Sequence, residues 1–101
     1  MKTPIDIRRQ LVSGEFEVSR HAFKRAVERN IHEREIKEAA GASDIIEDYP
    51  DVNIRPVLLL GFSMAGRALH FQVSFADTAM VKIITIYEPD PNEWIDWRKR
   101  R

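Results

Sequence analysis

The sequence predicts an α+β fold: two or three N-terminal helices packed on one face of a three- to four-stranded antiparallel sheet. Three observations point there. Apolar residues recur at helical spacing as far as residue 40, and alternate or run continuously beyond it. The links at 64–66 and 77–79 are short. Short links join antiparallel neighbours, because a parallel crossover needs a dozen residues or more.

The elements follow in order. Thr3 is a cap, Pro4 suits a first helical position and Asp6 favours the positive helix end, so a short helix is expected over 3–13. Ile5, Leu11 and Val12 form its narrow apolar stripe, and Gly14 stops it. Residues 15–18 alternate and read as a brief extended segment. Ser19 caps a second helix over about 19–30, with Ala22, Phe23, Ala26 and Val27 as its inner face. His32, with Glu35 three residues later, starts a third helix over 33–41, faced by Ile36, Ala39 and Ala40 and closed by Gly41. A sheet is expected over about 43–88, with strands at 44–49, 57–63, 67–76 and 80–88. Pro89 and Pro91 end it, and the basic, aromatic tail 89–101 reads as one helical turn carrying Trp94 and Trp97.

The 101 residues suit one domain, 1–101, and the 44% apolar fraction suits one core. There is no cysteine, hence no disulfide framework and no thiolate metal site. Neither a signal-type apolar core nor a bilayer-length apolar run is visible, so the cytoplasm is the expected location. The sixteen basic residues balance the sixteen acidic ones, which counts against a dedicated nucleic-acid binder. The charge is uneven, however. Residues 1–34 hold eight Lys/Arg against five Asp/Glu, residues 35–56 hold two against six, and the last eleven hold four against two. Such a chain folds into a basic and an acidic face, or simply scatters solvated charge.

Registering the last hairpin from its turn sets Phe75 opposite Met80, Phe71 opposite Ile84 and Leu69 opposite Ile86, on one apolar face with Val73. The other face then gathers His70 opposite Thr85, Ala68 opposite Tyr87, and Gln72 opposite Ile83. On the second helix His21, Arg25 and Arg29 fall at steps of four and line one edge.

Two imidazoles with arginines, a threonine and a tyrosine suit metal-independent RNA cleavage. One imidazole takes the proton of the 2′-hydroxyl, another acid protonates the leaving oxygen, and an arginine stabilises the phosphate charge. Histidine fits because imidazole titrates near neutrality. Each residue also has a plain structural reading: His21 and His32 as helix-start residues, His70 as a half-buried strand residue, Arg25 and Arg29 as ion-pair partners, Arg67 as a turn flank, and Thr85 and Tyr87 as ordinary strand residues. Trp94 and Trp97, beside Arg98 and Arg100, are placed either to stack on bases and hold phosphates or to lid the core. No Gly-rich phosphate loop, metal-ligand spacing or nucleophile elbow is present.

Six ordered pieces resemble one known family. They are Ser19-Arg20-His21-Ala22, Glu28-Arg29-Asn30-Ile31, Leu60-Gly61, Gly66-Arg67-Ala68-Leu69-His70, Ile83-Ile84-Thr85-Ile86-Tyr87-Glu88-Pro89-Asp90, and Trp94 before the terminal arginines. From about Ser19 onward the chain resembles the domain of unknown function 4258 family. The resemblance implies a RelE-like or barnase-like α+β fold and an RNA-cleaving toxin of a toxin–antitoxin pair. The implied partners are RNA and a cognate antitoxin, of the small zinc-finger MqsA type; from the residues themselves no cofactor, metal or membrane is expected, and self-association stays open. Carried over by motif, His21 is the histidine of a Ser-x-His-Ala element, Arg29 the arginine of a Glu-Arg element, Arg67 and His70 belong to Gly-Arg-x-Leu-His, and Thr85 and Tyr87 to Ile-Thr-x-Tyr; the leading expectation is that His21, Arg29 and Arg67 bind and polarise phosphate and that His70 transfers the proton. Asn30 stands where the family has glycine, and asparagine imitates it in the left-handed conformation. His32 stands where the family has a serine or threonine cap. The rival expectation is a non-catalytic interaction module derived from such a toxin, with a small-molecule enzyme a distant third.

Overall fold

The computed structural model describes residues 2–101. Helix α1 spans Pro4–Ser13, β1 Phe16–Val18, α2 Arg20–Glu28 and α3 Glu33–Ala40. Strands β2 Asp44–Asp48, β3 Pro56–Phe62, β4 Ala68–Ser74 and β5 Val81–Tyr87 follow. The short pair β6 Trp94–Ile95 and β7 Lys99–Arg100 closes the chain.

The helix ends follow their local chemistry. The Asp6 N–H donates to Thr3 Oγ1 at 3.2 Å and the Asp6 carboxylate accepts from the Thr3 N–H at 3.1 Å, a reciprocal box. Gly14 ends α1 at φ 83°. The buried stripe of α1 is Ile7, Gln10 and Leu11, while Ile5 and Val12, expected inside, are exposed. Residues 7 and 11 are one helical step of four apart, and that face meets α3. Gln10 is tolerated there because its amide donates to Ala79 O at 2.9 Å and accepts from Lys2 at 2.8 Å. Asn30 takes the left-handed conformation expected of it, at φ 54°.

The sheet has five strands in the order β1-β5-β4-β3-β2 and is mixed. Four neighbouring strands pair antiparallel, as expected. The segment read only as extended is β1, and it runs parallel to β5, with Phe16 opposite Val81 and Val18 opposite Ile83. This corrects the purely antiparallel sheet. The connection from β1 to β5 passes through most of the chain, which supplies the length that a parallel crossover needs.

The hairpin of β4 and β5 also departs from the expected register. His70 sits opposite Tyr87, Phe71 opposite Ile86, Gln72 opposite Thr85 and Val73 opposite Ile83, with a bulge at Ile84. The strands end at Ser74 and begin at Val81, so Phe75 and Met80 lie in the connection. The extra residue lets Ile83 and Ile86 both face the helices. The polar grouping of His70, Gln72, Thr85 and Tyr87 on the far face survives, because two residues of slip restore alternation.

Helix α2 packs on β5, α3 on β3 and β4, and α1 on α3. They enclose one core with Val57, Leu59, Leu69, Phe71, Val73, Val81, Ile83 and Ile86. Only Ala22 and Ala26 of α2 are buried; Phe23 and Val27, expected beside them, are exposed. Small side chains seat the helix close to β5 and turn the larger ones past the sheet edge. At Gly61 the main chain of α3 comes so near β3 that only a glycine fits. On the opposite face Leu58, Leu60, His70 and Trp94 are buried as well. Trp94 of the β6–β7 hairpin packs on His70, and this hairpin replaces the expected helical turn. Its three-residue connection, 96–98, holds Asp96 and Trp97 left-handed at φ 51° and 65°, in a turn that the Arg98 N–H closes by donating to Ile95 O at 3.0 Å. No helix among the described residues is long and apolar enough to cross a membrane.

Candidate functional site

Ser19 sets the position of α2. Its hydroxyl accepts from the Ala22 N–H at 3.0 Å and donates to Ile84 O at 2.8 Å, while its N–H donates to Ile83 O at 3.0 Å. The cap thus fastens the start of α2 to β5 where β1 stops. Beyond Ile83 that side of β5 has no strand partner, and an open cleft of about 410 Å³ lies there. One wall is the edge of α2 with His21, Arg25 and Arg29, all exposed. Thr85 and Tyr87 line the strand side, and Glu88, Asp90 and Glu93 face from the chain after β5. The helical step of four and the sheet alternation therefore bring five of the expected site residues into one hollow.

His70 is not in that hollow. It is fully buried, edge-on to Trp94 at 4.5 Å between ring centres and to Tyr87 at 5.2 Å. Nε2 lies 2.5 Å from Trp97 O, and Nδ1 lies 3.1 Å from the Tyr87 hydroxyl. A carbonyl only accepts, so the proton is assigned to Nε2, and Nδ1 accepts from the Tyr87 O–H. Burial pushes the imidazole below its ordinary pKa, against the opposing pull of the Trp97 carbonyl and Glu47. His70 is thus a neutral clasp between the sheet and the tail, which corrects its expected role as a solvent-facing proton carrier.

This clasp carries a pH dependence. The unfolded chain takes up the His70 proton near 6.5 and the folded protein takes it up only at lower pH. Stability is fully present above about pH 6.5 and falls as the pH drops through the window below it, by at most about 1.4 kcal/mol per pH unit. Glu35 and Glu47, held below the usual carboxylate range, add losses in the same direction but only below about pH 4.5. Thermal melts at pH 7.5 and 5.5 should show the lower midpoint at pH 5.5, with a smaller difference in His70→Gln. An equal difference in both proteins removes His70 as the source.

The family follows from the span of one match. The sequence model described as Domain of unknown function (DUF4258) covers residues 18–88, well over half of the chain. The protein belongs to the DUF4258 family. No curated protein and no solved structure matches it. The DUF4258 match takes in α2, α3, β2 to β5 and Glu88 of the cleft; Asp90, Glu93 and the tail lie beyond it.

The remaining expected residues of this DUF4258 protein are held elsewhere. Arg67, assigned to phosphate, reaches under the end of α2. Its Nη1 donates to Asn30 O at 3.0 Å and to Glu35 at 3.1 and 3.2 Å; its Nη2 donates to Arg29 O at 2.6 Å and to Glu88 at 2.5 Å. A cation at the C-terminal carbonyls of a helix satisfies groups the helix leaves unpaired. Glu35 is held ionised despite burial, by the His32 N–H and Arg67. Arg67 therefore positions Arg29 and Glu88 and does not itself line the cleft. Trp94 is buried, with the Arg100 guanidinium over its ring at 4.7 Å. Arg98 pairs with Asp44 at 2.7 Å, and Arg100 with Glu47 at 2.7 Å. Arg98 and Arg100 fasten the tail to β2, and Trp94 packs on His70 of β4, which corrects the expected stacking of Trp94 on a base; Trp97 stays part-exposed beside them.

Sequence reasoning overlooked the acidic wall and a polar group on the far face. Glu47 and Tyr49 stand there with Gln72, and their period-two spacing at the end of β2 was the available signal. Among the described residues no His, Asp and Glu side chains gather as a metal-ligand group.

Proposed function

We propose that this protein is a toxin-type endoribonuclease that cleaves RNA by side-chain acid–base chemistry without metal, centred on the cleft between α2 and β5. The observation that carries the reading is the convergence of His21, Arg25 and Arg29 on Thr85 and Tyr87 in one open cleft. Arg25 and Arg29 hold the phosphate and stabilise its transition-state charge. His21 and the facing carboxylate of Glu93 divide the proton work. One takes the 2′-hydroxyl proton as the 2′-oxygen bonds to phosphorus; the other protonates the 5′-oxygen as its bond breaks. The products are a 2′,3′-cyclic phosphate and a 5′-hydroxyl end. Helices on one face of a largely antiparallel sheet agree with a RelE-like or barnase-like arrangement, and the reading places the protein in the cytoplasm with an antitoxin, of the small zinc-finger kind, over the cleft.

The test is cleavage of single-stranded RNA by the purified protein with EDTA present. The wild type should cut, and His21→Ala and Arg25→Ala should each lower the rate about a hundredfold or more. A folded wild type that leaves RNA intact retires the enzyme reading. The second reading, a non-catalytic interaction module, is favoured by the apolar groove of about 290 Å³ beside Phe23 and Val27, which stand 63% and 65% exposed. Under it, expression of the protein alone is harmless whether or not His21 is present.

A further inference from the structure

The cleft continues past β5. A second hollow of about 210 Å³ lies on the outer sheet face, and Thr85 and Tyr87 line both. Its remaining walls differ in chemistry from the first. Leu58 is apolar floor, and Tyr49 and Tyr87 supply two aromatic rings. The Tyr49 hydroxyl donates to Glu47, which locks a ring that is still 36% exposed. Arg100 donates to both Glu47 carboxylate oxygens, at 2.7 and 3.1 Å, so the one cation present is already neutralised. Gln72 and Thr85 face each other across the strands. Among the described residues neither side chain forms a hydrogen bond within the protein, and together they offer two amide donors, an amide acceptor and a hydroxyl.

We propose that this second hollow is a nucleobase subsite. It seats one unstacked base of single-stranded RNA between Tyr49 and Tyr87, with Gln72 and Thr85 at the base edge and the adjoining phosphate in the α2 cleft. The inference rests on the RNA reading above. A phosphate is disfavoured here, since Arg100 is spent and Glu47 is anionic. Flat rings, an apolar floor and uncharged donors and acceptors are what a neutral heterocycle requires, and base–aromatic stacking is the common means of holding single strands. The His70 clasp sharpens the site. Because His70 Nδ1 takes the Tyr87 proton, the Tyr87 oxygen presents lone pairs to a ligand, not a donor.

The experiment is an amide NMR titration of the intact protein with three probes: inorganic phosphate, 3′-nucleoside monophosphates and the matching nucleosides. Expected are nucleotide affinities about tenfold or more above that of phosphate, with shifts at Gln72, Thr85 and Tyr49. Gln72→Ala and Tyr49→Ala should each lose that gain and keep phosphate binding. Arg25→Ala should lose the phosphate contribution and keep the nucleoside shifts. If nucleotides bind no better than phosphate, or the gain persists in both variants, the subsite is refuted while the phosphate cleft stands. If no probe binds, the RNA reading itself fails and takes the subsite with it.

Discussion

Gly61→Ala should cost more than about 3 kcal/mol, enough to remove much of the stability of a domain this size. The reason is a collision with main chain. A methyl group at this position would lie 2.1 Å from the Ala39 carbonyl oxygen and 2.7 Å from its carbon. Neither atom can swing away, because both belong to the last turn of α3, which holds the buried Ala39 and Ala40 against the sheet. Accommodation means lifting α3 off β3, which opens voids around Leu59 and Leu69. Gly66→Ala is the control. Gly66 sits at φ 82° with nothing within 4 Å of the added carbon, so only conformational strain of about 1–2 kcal/mol applies. Chemical denaturation of the two variants should separate them clearly; equal midpoints would mean that α3 yields more easily than its packing indicates.

Arg67→Ala should be the second large loss, about 2–4 kcal/mol, and it should appear as instability rather than as a selective loss of catalysis. The guanidinium satisfies two carboxylates and two helix-end carbonyls, and its side chain is 21% exposed against 12% for Glu35. Removing it strands the Glu35 charge and frees the end of α2. A midpoint drop on the order of 10 °C or more is expected. Arg67→Lys keeps a charge without the fork and should fall between. Arg67→Ala combined with Glu35→Gln should cost less than the separate losses added together, because no buried charge is left alone. Strict additivity would indicate that the pair is already solvent-screened.

How much was legible in the sequence divides by distance along the chain. Capping is local, so Thr3 with Asp6, Ser19, and His32 with Glu35 announced their helices, and Asn30 its left-handed turn. The row of His21, Arg25 and Arg29 follows from helix geometry alone, and the outer-face grouping of His70 with Tyr87 from alternation. What escaped depended on partners remote in sequence. Nothing in Phe16-Glu17-Val18 names Val81 as its neighbour. Ile83 and Ile84 are equally apolar, so the bulge leaves no trace in hydropathy. Asp96-Trp97 lacks the glycine or asparagine that normally marks a turn with two left-handed residues. With that hairpin unseen, the lid over His70 was unseen too, and an apparently exposed imidazole turned out to be an internal strut. Arg67 was misread for a similar reason: the carbonyls it serves are nearly forty positions earlier.

The parallel seam between β1 and β5 has a kinetic consequence. It joins positions some sixty-five apart in the chain, Phe16 to Val81. Loop-closure entropy must be met before any of those ladder contacts form, which slows folding relative to a helical domain of equal length. A growing polypeptide therefore cannot seat its first strand until the last long one has left the ribosome. During that interval Phe16 and Val18 lack their partner and the early helices lack their sheet, which leaves apolar surface uncovered in the unfinished chain.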